Sequence, residues 1–174
     1  MKILITGANG LLGQKLSLRL QQDENVSLIA TARGATVLPI SKGEYQALDI
    51  TDADAVQHII QQTKPDVVIN TAAMTNVDQC EVEREKCWQA NVHAVENLVA
   101  ACRAVNAHFI HVSTDFIFDG THGPLDEQAT PAPVNYYGES KLAAEQVVMN
   151  SGLNWSILRT VLVFGITTDM SRSN

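Results

Sequence analysis

The sequence predicts an α/β fold of the Rossmann type, a doubly wound parallel sheet with helices on both faces. Three observations predict it. Short apolar runs typical of buried strands alternate with amphipathic stretches of helical period along the whole chain. The first run, Ile3 to Ile5, leads directly into three glycines spaced three apart. The 174 residues, 45% of them hydrophobic, can bury one core and are too few for two full domains, so one domain is expected.

The glycines form the predicted turn between the first strand and the first helix. Gly7 allows a tight turn, Gly10 lets the backbone approach a pyrophosphate, and Gly13 lets the helix pack close to the sheet. The helix would run from near Leu11 to about Gln22, with its N-terminal N–H groups and positive dipole end facing phosphates. The GxxGxxG spacing is one residue wider than GxGxxG, but the strand before it and the apolar helix face after it favour a dinucleotide site over an ordinary loop.

The second strand, Val26 to Thr31, bears on the choice of cofactor. In this fold an Asp or Glu ending that strand binds the adenosine ribose and selects NAD. Here the chain continues as Thr31-Ala32-Arg33 without a carboxylate, and a guanidinium can pair bidentately with a 2'-phosphate. We therefore expect NADP, used as NADPH, with NAD as the alternative if Arg33 is a solvated surface residue.

The same patterns predict four more strands and three more helices. In chain order these are a strand at 46–50, a helix capped by Thr51 or Asp52 and ending at Gln62, a strand at 65–70, a helix at 83–106, a strand at 108–112, a helix at 137–150 and a strand at 155–159. The small residues at 71–73 leave room for a flat ring close to the backbone. The stretch 119–133 holds three of the five prolines and is expected to be a surface loop.

Composition and charge exclude several classes of protein. The net charge of -7 argues against a nucleic-acid or membrane-surface partner, because both need a concentrated positive face. No apolar run approaches the ~20 residues that span a bilayer, and the N-terminus lacks a signal-peptide pattern, so a cytoplasmic protein is expected. Cys80, Cys87 and Cys102 have no CxxC spacing and are interpreted as reduced, packing thiols. His108 and His111 fall on opposite faces of a strand, and no metal site is predicted.

The strongest chemical signal is Tyr137-Gly-Glu-Ser-Lys141. Positions four apart share one helix face, which places a phenol beside an ammonium. Moving the pKa of a tyrosine from ~10 towards ~7 needs roughly 4 kcal/mol, which a desolvated cation and a ribose hydroxyl would supply. Thr114, with Ser113 as the substitute, would hydrogen-bond the same substrate oxygen. Alone, YxxxK is common on exposed helices; the glycine turn and the Ser-Thr pair together favour a catalytic reading.

These residues resemble the extended short-chain dehydrogenases/reductases, and within them the dTDP-4-dehydrorhamnose reductases. The matching segments cover nearly the whole chain. They are the turn from Thr6 to Gly13, the pair Asp49-Ile50, the segment from Asn70 to Asp78, Val112-Ser-Thr-Asp-Phe-Ile-Phe-Asp-Gly120 (similar to STDYVFDG), the segment from Pro133 to Lys141 (similar to PxNxYGxxK) and that from Arg159 to Gly165 (similar to RTxxVYG).

The resemblance implies roles for individual residues. The catalytic residues would be Thr114, Tyr137 and Lys141, with Tyr137 rather than Tyr136 as the acid. The cofactor would contact Gly7, Asn9, Gly10, Leu11, Leu12, Gly13, Arg33, Asp49, Ile50, Ala72, Ala73, Val112, Tyr137 and Lys141. The substrate would contact Ser113, Thr114, Asp115 and Tyr137.

The implied function is reduction, by NADPH, of a nucleotide-linked 4-keto-6-deoxy sugar, of the type that converts dTDP-4-dehydrorhamnose to dTDP-rhamnose. Residues 1–174 would then be the NAD(P)-binding domain. The C-terminal substrate domain of the family would be missing, and the chain would be a fragment. Two alternatives stay open. One is a non-catalytic NAD(P)-binding regulatory subunit, and the other is a nucleotide-sugar epimerase or dehydratase, although a dehydratase would carry an acidic pair after Thr114, where this chain has Asp115-Phe116. A homodimer is also left open.

Overall fold

The computed structural model describes residues 1–166, and its sheet has the predicted doubly wound order. Six parallel strands lie in the order β3-β2-β1-β4-β5-β6. The strands are β1 (Lys2–Thr6), β2 (Ser27–Ala32), β3 (Glu44–Ala47), β4 (Val67–Asn70), β5 (His108–Thr114) and β6 (Trp155–Thr160). The chain builds outwards from β1 in one direction and then from β4 in the other, so the order reverses between β1 and β4. The fold class is confirmed as Rossmann-type, and ligands in such sheets bind at this reversal.

Helices cover the two faces of the sheet unequally. They are α1 (Leu11–Leu20), α2 (Ala53–Thr63), α3 (Val77–Val82), α4 (Arg84–Trp88), α5 (Ala94–Val105) and α6 (Tyr136–Met149), with a π-helical turn (Gln89–His93) between α4 and α5. Because side chains alternate along a strand, Leu4 joins the core under α2, α5 and α6, whereas Ile3 and Ile5 join a smaller core under α1. The helices leave part of the edge strand β6 uncovered, where Leu158 is 52% exposed. Within residues 1–166, no helix combines the length and apolar character needed to cross a bilayer.

The third strand differs from the prediction. It ends at Ala47, so that Asp49 and Ile50 lie in the turn that follows. The carboxylate of Asp49 accepts hydrogen bonds from the N–H and the hydroxyl of Thr51, which folds the backbone away from the sheet before α2 begins. Of the two caps predicted for α2, Asp52 is the one found, since its side chain accepts from the N–H of Ala55 at 3.0 Å.

The predicted long helix at 83–106 is interrupted. A further helix, α3, comes first, and the chain leaves helical geometry at Glu83, where α3 ends and α4 begins. A π-helical turn then separates α4 from α5. The Asn76 side chain caps α3 by accepting from the N–H of Gln79 at 2.8 Å. The Asn-x-x-Gln pattern is the local signal that could have predicted this helix.

Candidate functional site

A continuous cleft opens at the carboxyl edge of the sheet, where the strand order reverses. It consists of a first cavity of about 610 Å³ and a second of about 420 Å³. Gly10, Thr71 and Ala73 line both cavities, so the two meet beside the glycine turn. The first cavity extends towards β2 and the turn after β3, and the second towards β5 and α6.

The glycine turn is packed so tightly that a side chain cannot replace Gly7 or Gly13. Gly7 has φ +72°, a left-handed conformation, and a Cβ there would lie 2.7 Å from the backbone nitrogen of Ala72. A Cβ on Gly13 would collide with the Gly7 carbonyl oxygen. The turn therefore presents bare backbone to the cleft, as the spacing of the glycines predicts.

The N-terminus of α1 is free to bind an anion at this turn. No side chain caps the helix at Gly10, and its first turn contains no acidic residue. The first helical hydrogen bond runs from the N–H of Gln14 to the Gly10 carbonyl at 2.9 Å. The N–H groups of Leu11, Leu12 and Gly13 therefore precede the helical ladder, and all three residues line the second cavity.

Several of the expected cofactor contacts come together in the first cavity. Its lining includes Arg33, Asp49, Ile50, Ala72 and Ala73. Partial burial acts to raise the pKa of Asp49, but hydrogen bonds from Thr51 and the nearby charge of Arg33 outweigh it, and the net shift is downwards. The first cavity thus carries an exposed guanidinium and an ionised carboxylate close together.

Asn9 lines the same cavity, but its amide group binds protein. Its Nδ2 donates to the Ala35 carbonyl at 2.9 Å, and its Oδ1 accepts from the N–H of Val37 at 3.1 Å. These bonds tie the segment after β2 to the glycine turn. Asn9 therefore forms part of the wall of the first cavity, while its side-chain amide is hydrogen-bonded to the segment after β2.

The second cavity brings together the residues of the predicted chemistry. Ser113 and Thr114 reach it from the end of β5, and Tyr137 and Lys141 from one face of α6. The N-terminus of α6 is fixed by Asn135, whose side chain accepts from the N–H of Gly138 at 2.8 Å. Two elements far apart in the sequence therefore present hydroxyl, phenol and ammonium groups to one space.

Tyr137 is buried in the wall of the second cavity. It is 9% exposed, and Phe116 packs against its ring edge-on at 5.8 Å. Burial raises the pKa of Tyr137, although a hydrogen bond with Thr114 opposes the shift. The sequence predicted a lowered pKa through Lys141, and in the protein alone the shift has the opposite direction.

Lys141 makes its contacts away from the phenol. Its Nζ donates to the Val112 carbonyl at 2.7 Å and lies 3.1 Å from Nε2 of His111. Desolvation lowers the pKa of Lys141 to about 8, while Glu145 and Cys87 act in the opposite direction. Val112, expected to contact the cofactor, thus lines the second cavity and also anchors the lysine through its carbonyl.

Ser113 has a buried hydroxyl that the protein leaves without a partner. Its Oγ makes no hydrogen bond to any residue of 1–166, although the residue lines the second cavity. A buried hydroxyl without a partner costs about 1 to 3 kcal/mol unless something else binds it. The Ser113 hydroxyl, the exposed backbone of the glycine turn and the N–H groups at the start of α1 together suit a site that binds a dinucleotide and a second, substrate molecule.

Asp115 is the predicted substrate contact that the structure does not bring into the second cavity. It starts the single 3-10 turn Asp115–Ile117 after β5, and it is not among the residues that line the space. Its carboxylate accepts from the Thr114 hydroxyl at 3.2 Å. Asp115 therefore lies beside Thr114 and does not line the second cavity.

Asn91 is a site-building residue that sequence reasoning missed. It lies in the π-helical turn, where its Nδ2 donates to Ser140 Oγ at 2.9 Å and to the Met74 carbonyl at 3.0 Å. Its Oδ1 accepts from the N–H of Met74 at 2.8 Å. These bonds fasten α6 to the small-residue wall of the cleft. A buried Asn within an apolar helix face was the available signal.

Three further buried polar residues, Thr6, Asn70 and His111, were also missed. Thr6 pairs in register with Asn70, and Asn70 with His111, on the adjacent strands β1, β4 and β5. His111 connects this row to Lys141. The available signal was one polar side chain at or near the end of each of three apolar strands. Among residues 1–166, no group of three His, Cys, Asp or Glu side chains is arranged to hold a metal.

Comparison with known proteins gives consistent matches over almost the whole chain. The family model described as the RmlD substrate binding domain matches residues 1–171. The dTDP-4-dehydrorhamnose reductase of Burkholderia thailandensis is 39% identical over 165 residues, which are 94% of this chain and 51% of that protein. The methionine adenosyltransferase 2 subunit beta of Pongo abelii is 33% identical over 172 residues, which are 99% of this chain and 50% of that protein.

A solved structure adds a three-dimensional match. The dTDP-4-dehydrorhamnose reductase of Bacillus anthracis, in complex with NADP, has a TM-score of 0.84 and 34% identity. The match covers 97% of this chain and 56% of that one. The chain thus spans about half the length of the relatives that it matches.

Proposed function

The chain belongs to the RmlD substrate binding domain family, and from this membership we propose that it is the cofactor-binding and proton-donating part of an NADPH-dependent reductase. The proposed substrate is a nucleotide-linked 4-keto-6-deoxy sugar of the dTDP-4-dehydrorhamnose type. One observation carries the proposal: Thr114, Tyr137 and Lys141 line a cavity that continues directly into the cleft at the glycine turn.

Tyr137 is the proposed proton donor. The bound cofactor supplies a hydride to the carbonyl carbon of the sugar, and the oxygen then needs a proton. A phenol whose pKa burial has raised stays protonated at neutral pH, which suits an acid in the direction of reduction. Thr114, through its hydrogen bond with Tyr137, and the unpartnered hydroxyl of Ser113 are placed to bind the same oxygen as charge develops on it.

Lys141 is the proposed electrostatic partner of this acid. An ammonium has three N–H donors; Lys141 donates one to the Val112 carbonyl, and a second faces Nε2 of His111 at 3.1 Å. The third remains for the second cavity, which Lys141 lines. The proposed role of the lysine is therefore to place one donor and a positive charge at the floor of the cavity, where a ribose hydroxyl and the phenolic oxygen can share them.

NADPH is the proposed cofactor, with NADH as the alternative. Arg33 lines the first cavity in an exposed position, as recognition of a 2'-phosphate requires. Asp49 lies close enough to interact electrostatically with Arg33, and its negative charge would weaken the attraction for a phosphate. The B. anthracis relative, solved with NADP, supports the phosphorylated form.

A second candidate is a non-catalytic subunit that binds NAD(P). The observation in its favour is the 33% identity to a protein named as a subunit of methionine adenosyltransferase 2. The complete set of Thr114, Tyr137 and Lys141 around one cavity supports the reductase instead. An epimerase is a weaker candidate, because the UDP-Glc/GlcNAc 4-epimerase of Campylobacter jejuni is only 24% identical to this chain and supports a shared fold alone.

The test is oxidation of NADPH by dTDP-4-dehydrorhamnose, measured by absorbance with the longest natural form of the protein. Tyr137→Phe should lower kcat by about 10²- to 10⁴-fold while NADPH still binds. Tyr136→Phe is the matched control, because its ring lies against Trp88 and Arg84 outside the second cavity, and it should keep near wild-type activity. Turnover retained by Tyr137→Phe would refute the assignment. Tight NADPH binding without oxidation by the wild type would favour the subunit.

A further inference from the structure

A row of four buried polar side chains crosses the sheet to reach Lys141. Thr6 Oγ1 donates to Asn70 Oδ1 at 2.6 Å, and Asn70 Nδ2 lies 3.2 Å from Nδ1 of His111. The other ring nitrogen of His111, Nε2, lies 3.1 Å from Nζ of Lys141. None of the four residues is more than 2% exposed. The row links β1, β4 and β5 to α6 through side chains alone.

The side chains of this row have to provide hydrogen-bond acceptors for the buried ammonium of Lys141. Burying an ammonium is costly unless its donors find acceptors, and the Val112 carbonyl satisfies only one of them. His111 is the side chain that offers a second acceptor. Burial, and next the charge of Lys141, hold the pKa of His111 well below its usual range, so the ring is neutral and one nitrogen can accept.

Proton positions along the row are linked to the charge of Lys141. With Asn70 Nδ2 facing the ring, Nδ1 accepts and the proton of the neutral ring lies on Nε2, where only an uncharged amine could accept it. If the Asn70 amide is turned over, Nδ1–H donates to its oxygen and Nε2 accepts from the ammonium. Turning the amide over keeps the contact with the Thr6 hydroxyl, which can donate or accept, and gives up the 3.3 Å hydrogen bond from the N–H of Ala72 to Asn70 Oδ1.

We propose that His111 is a positioning residue for the reduction, an inference that rests on the proposed function. In the tautomer protonated at Nδ1, it accepts a hydrogen bond from the Lys141 ammonium at Nε2. The Lys141 ammonium selects that tautomer because it can only donate, and Nδ1–H then finds its acceptor in the Asn70 oxygen once that amide is turned over. The lysine thereby keeps its charge in a buried place and directs its remaining N–H to the second cavity.

Other titratable groups also act on Lys141. Glu145 lies one helical turn further along α6 and raises the pKa of the lysine, and Cys87 on α4 acts in the same direction. Arg159 on β6 binds the carboxylate of Glu145 at 2.8 Å and offsets part of its negative charge. Tyr137 lies one turn earlier on α6. His111 is the group on β5 that contacts the ammonium directly.

Two substitutions separate the acceptor from the volume of the ring. His111→Phe keeps a planar aromatic ring, although a six-membered one in place of the five-membered imidazole, and removes the acceptor, whereas the side chain of His111→Gln places a carbonyl oxygen near the position of Nε2. With the full-length protein, His111→Phe should lower kcat by about ten- to a hundredfold, as loss of a hydrogen bond to a buried charge predicts. It should also move the basic limb of the pH–rate profile to lower pH. His111→Gln should restore most of the rate and return that limb towards its wild-type position.

NMR tests the same inference without substrate. In protein with ¹⁵N-labelled histidine, His111 should show a protonated Nδ1 and an unprotonated Nε2, and the ¹³Cε signal of Lys141 should titrate at lower pH in His111→Phe than in wild type. A wild-type ring protonated at Nε2, an unshifted Lys141 titration in a folded His111→Phe, or a His111→Gln variant as impaired as His111→Phe would each overturn the proposal. Because the tautomer of His111 is measured on the wild type, this measurement tests the proposal about His111 even if a variant fails to fold or the protein is not a reductase.

Discussion

The fully buried carboxylate of Glu145 is held by Arg159, whose Nε and Nη2 donate to it at 3.1 and 2.8 Å. Arg159 is also bonded to the Glu127 carbonyl at 3.1 Å. The pair joins β6 to α6 one turn beyond Lys141, and it fixes the loop that follows β5 to the same helix. A bidentate pair of this kind combines charge with defined geometry, so it holds in place the helix α6, which carries Tyr137 and Lys141.

Replacing Arg159 with Ala should destabilise the protein strongly. The change leaves a buried carboxylate unpaired, which typically costs about 3 to 5 kcal/mol of unfolding free energy. Arg84→Ala is the matched control, because it breaks the exposed Arg84–Glu81 pair, which solvent screens, and it should destabilise the protein far less. Urea denaturation measures both values. Equal losses in the two variants would show that the Glu145–Arg159 pair has no special weight.

Lys141 should make the protein less stable at neutral pH than a variant without the charge. Its pKa falls from 10.5 to about 8 on folding, so the unfolded chain binds the extra proton between these values and stability rises with pH there. The full cost of about 3 kcal/mol applies below pH 8 and disappears by about pH 10.5.

Lys141→Met should therefore be more stable than wild type at pH 7, and the difference should shrink between pH 8 and 10.5. Denaturation at a series of pH values measures it. Lys15→Met, on the exposed side of α1, is the control for loss of a lysine as such. A stability difference that stays constant over this pH range would contradict the buried-cation interpretation.

Arg33→Ala should weaken NADPH binding by about ten- to a hundredfold and leave NADH binding nearly unchanged. The expected loss corresponds to charge-assisted hydrogen bonds to a 2'-phosphate. Dissociation constants from fluorescence titration with both nucleotides measure it. Arg19→Ala, in the last turn of α1 and therefore far from the glycine turn, is the control. Equal losses for the two nucleotides in Arg33→Ala would mean that Arg33 does not recognise the phosphate.

Gly7→Ala should cost more than its backbone conformation alone explains. Gly7 and Gly34 both have positive φ, +72° and +73°, but a Cβ on Gly34 would meet nothing within 4 Å, whereas one on Gly7 would press on the backbone of Ala72. Gly34→Ala should cost about 1 to 2 kcal/mol of unfolding free energy, and Gly7→Ala about 2 to 5 kcal/mol together with loss of NADPH binding. Similar costs for both variants would show that close packing at Gly7 is unimportant.

The interpretation of Tyr137 and Lys141 shows where sequence reasoning succeeds and where it stops. Their spacing of four correctly predicts one shared helix face, because helical periodicity is a local property. The direction of the pKa shift of Tyr137 in the protein alone does not follow from that spacing, because it depends on how deeply the second cavity buries the phenol and on where the lysine finds acceptors. Asp115 shows the same limit, since it does not line the second cavity although Thr114 before it and Phe116 after it do.

The sequence by itself determined the strand-turn-helix unit at Gly7, the alternation of strands and helices, the start of α2 to within one residue and the position of the Tyr137 helix. Each of these depends on residues within a few positions of one another, so propensity, periodicity and turn chemistry are sufficient. Only the tertiary structure decided that Thr6, Asn70 and His111 form one row leading to Lys141. That row exists because β1, β4 and β5 become neighbours in a fixed register when the helices cover the sheet, and a register between strands tens of residues apart is set by packing of the whole core.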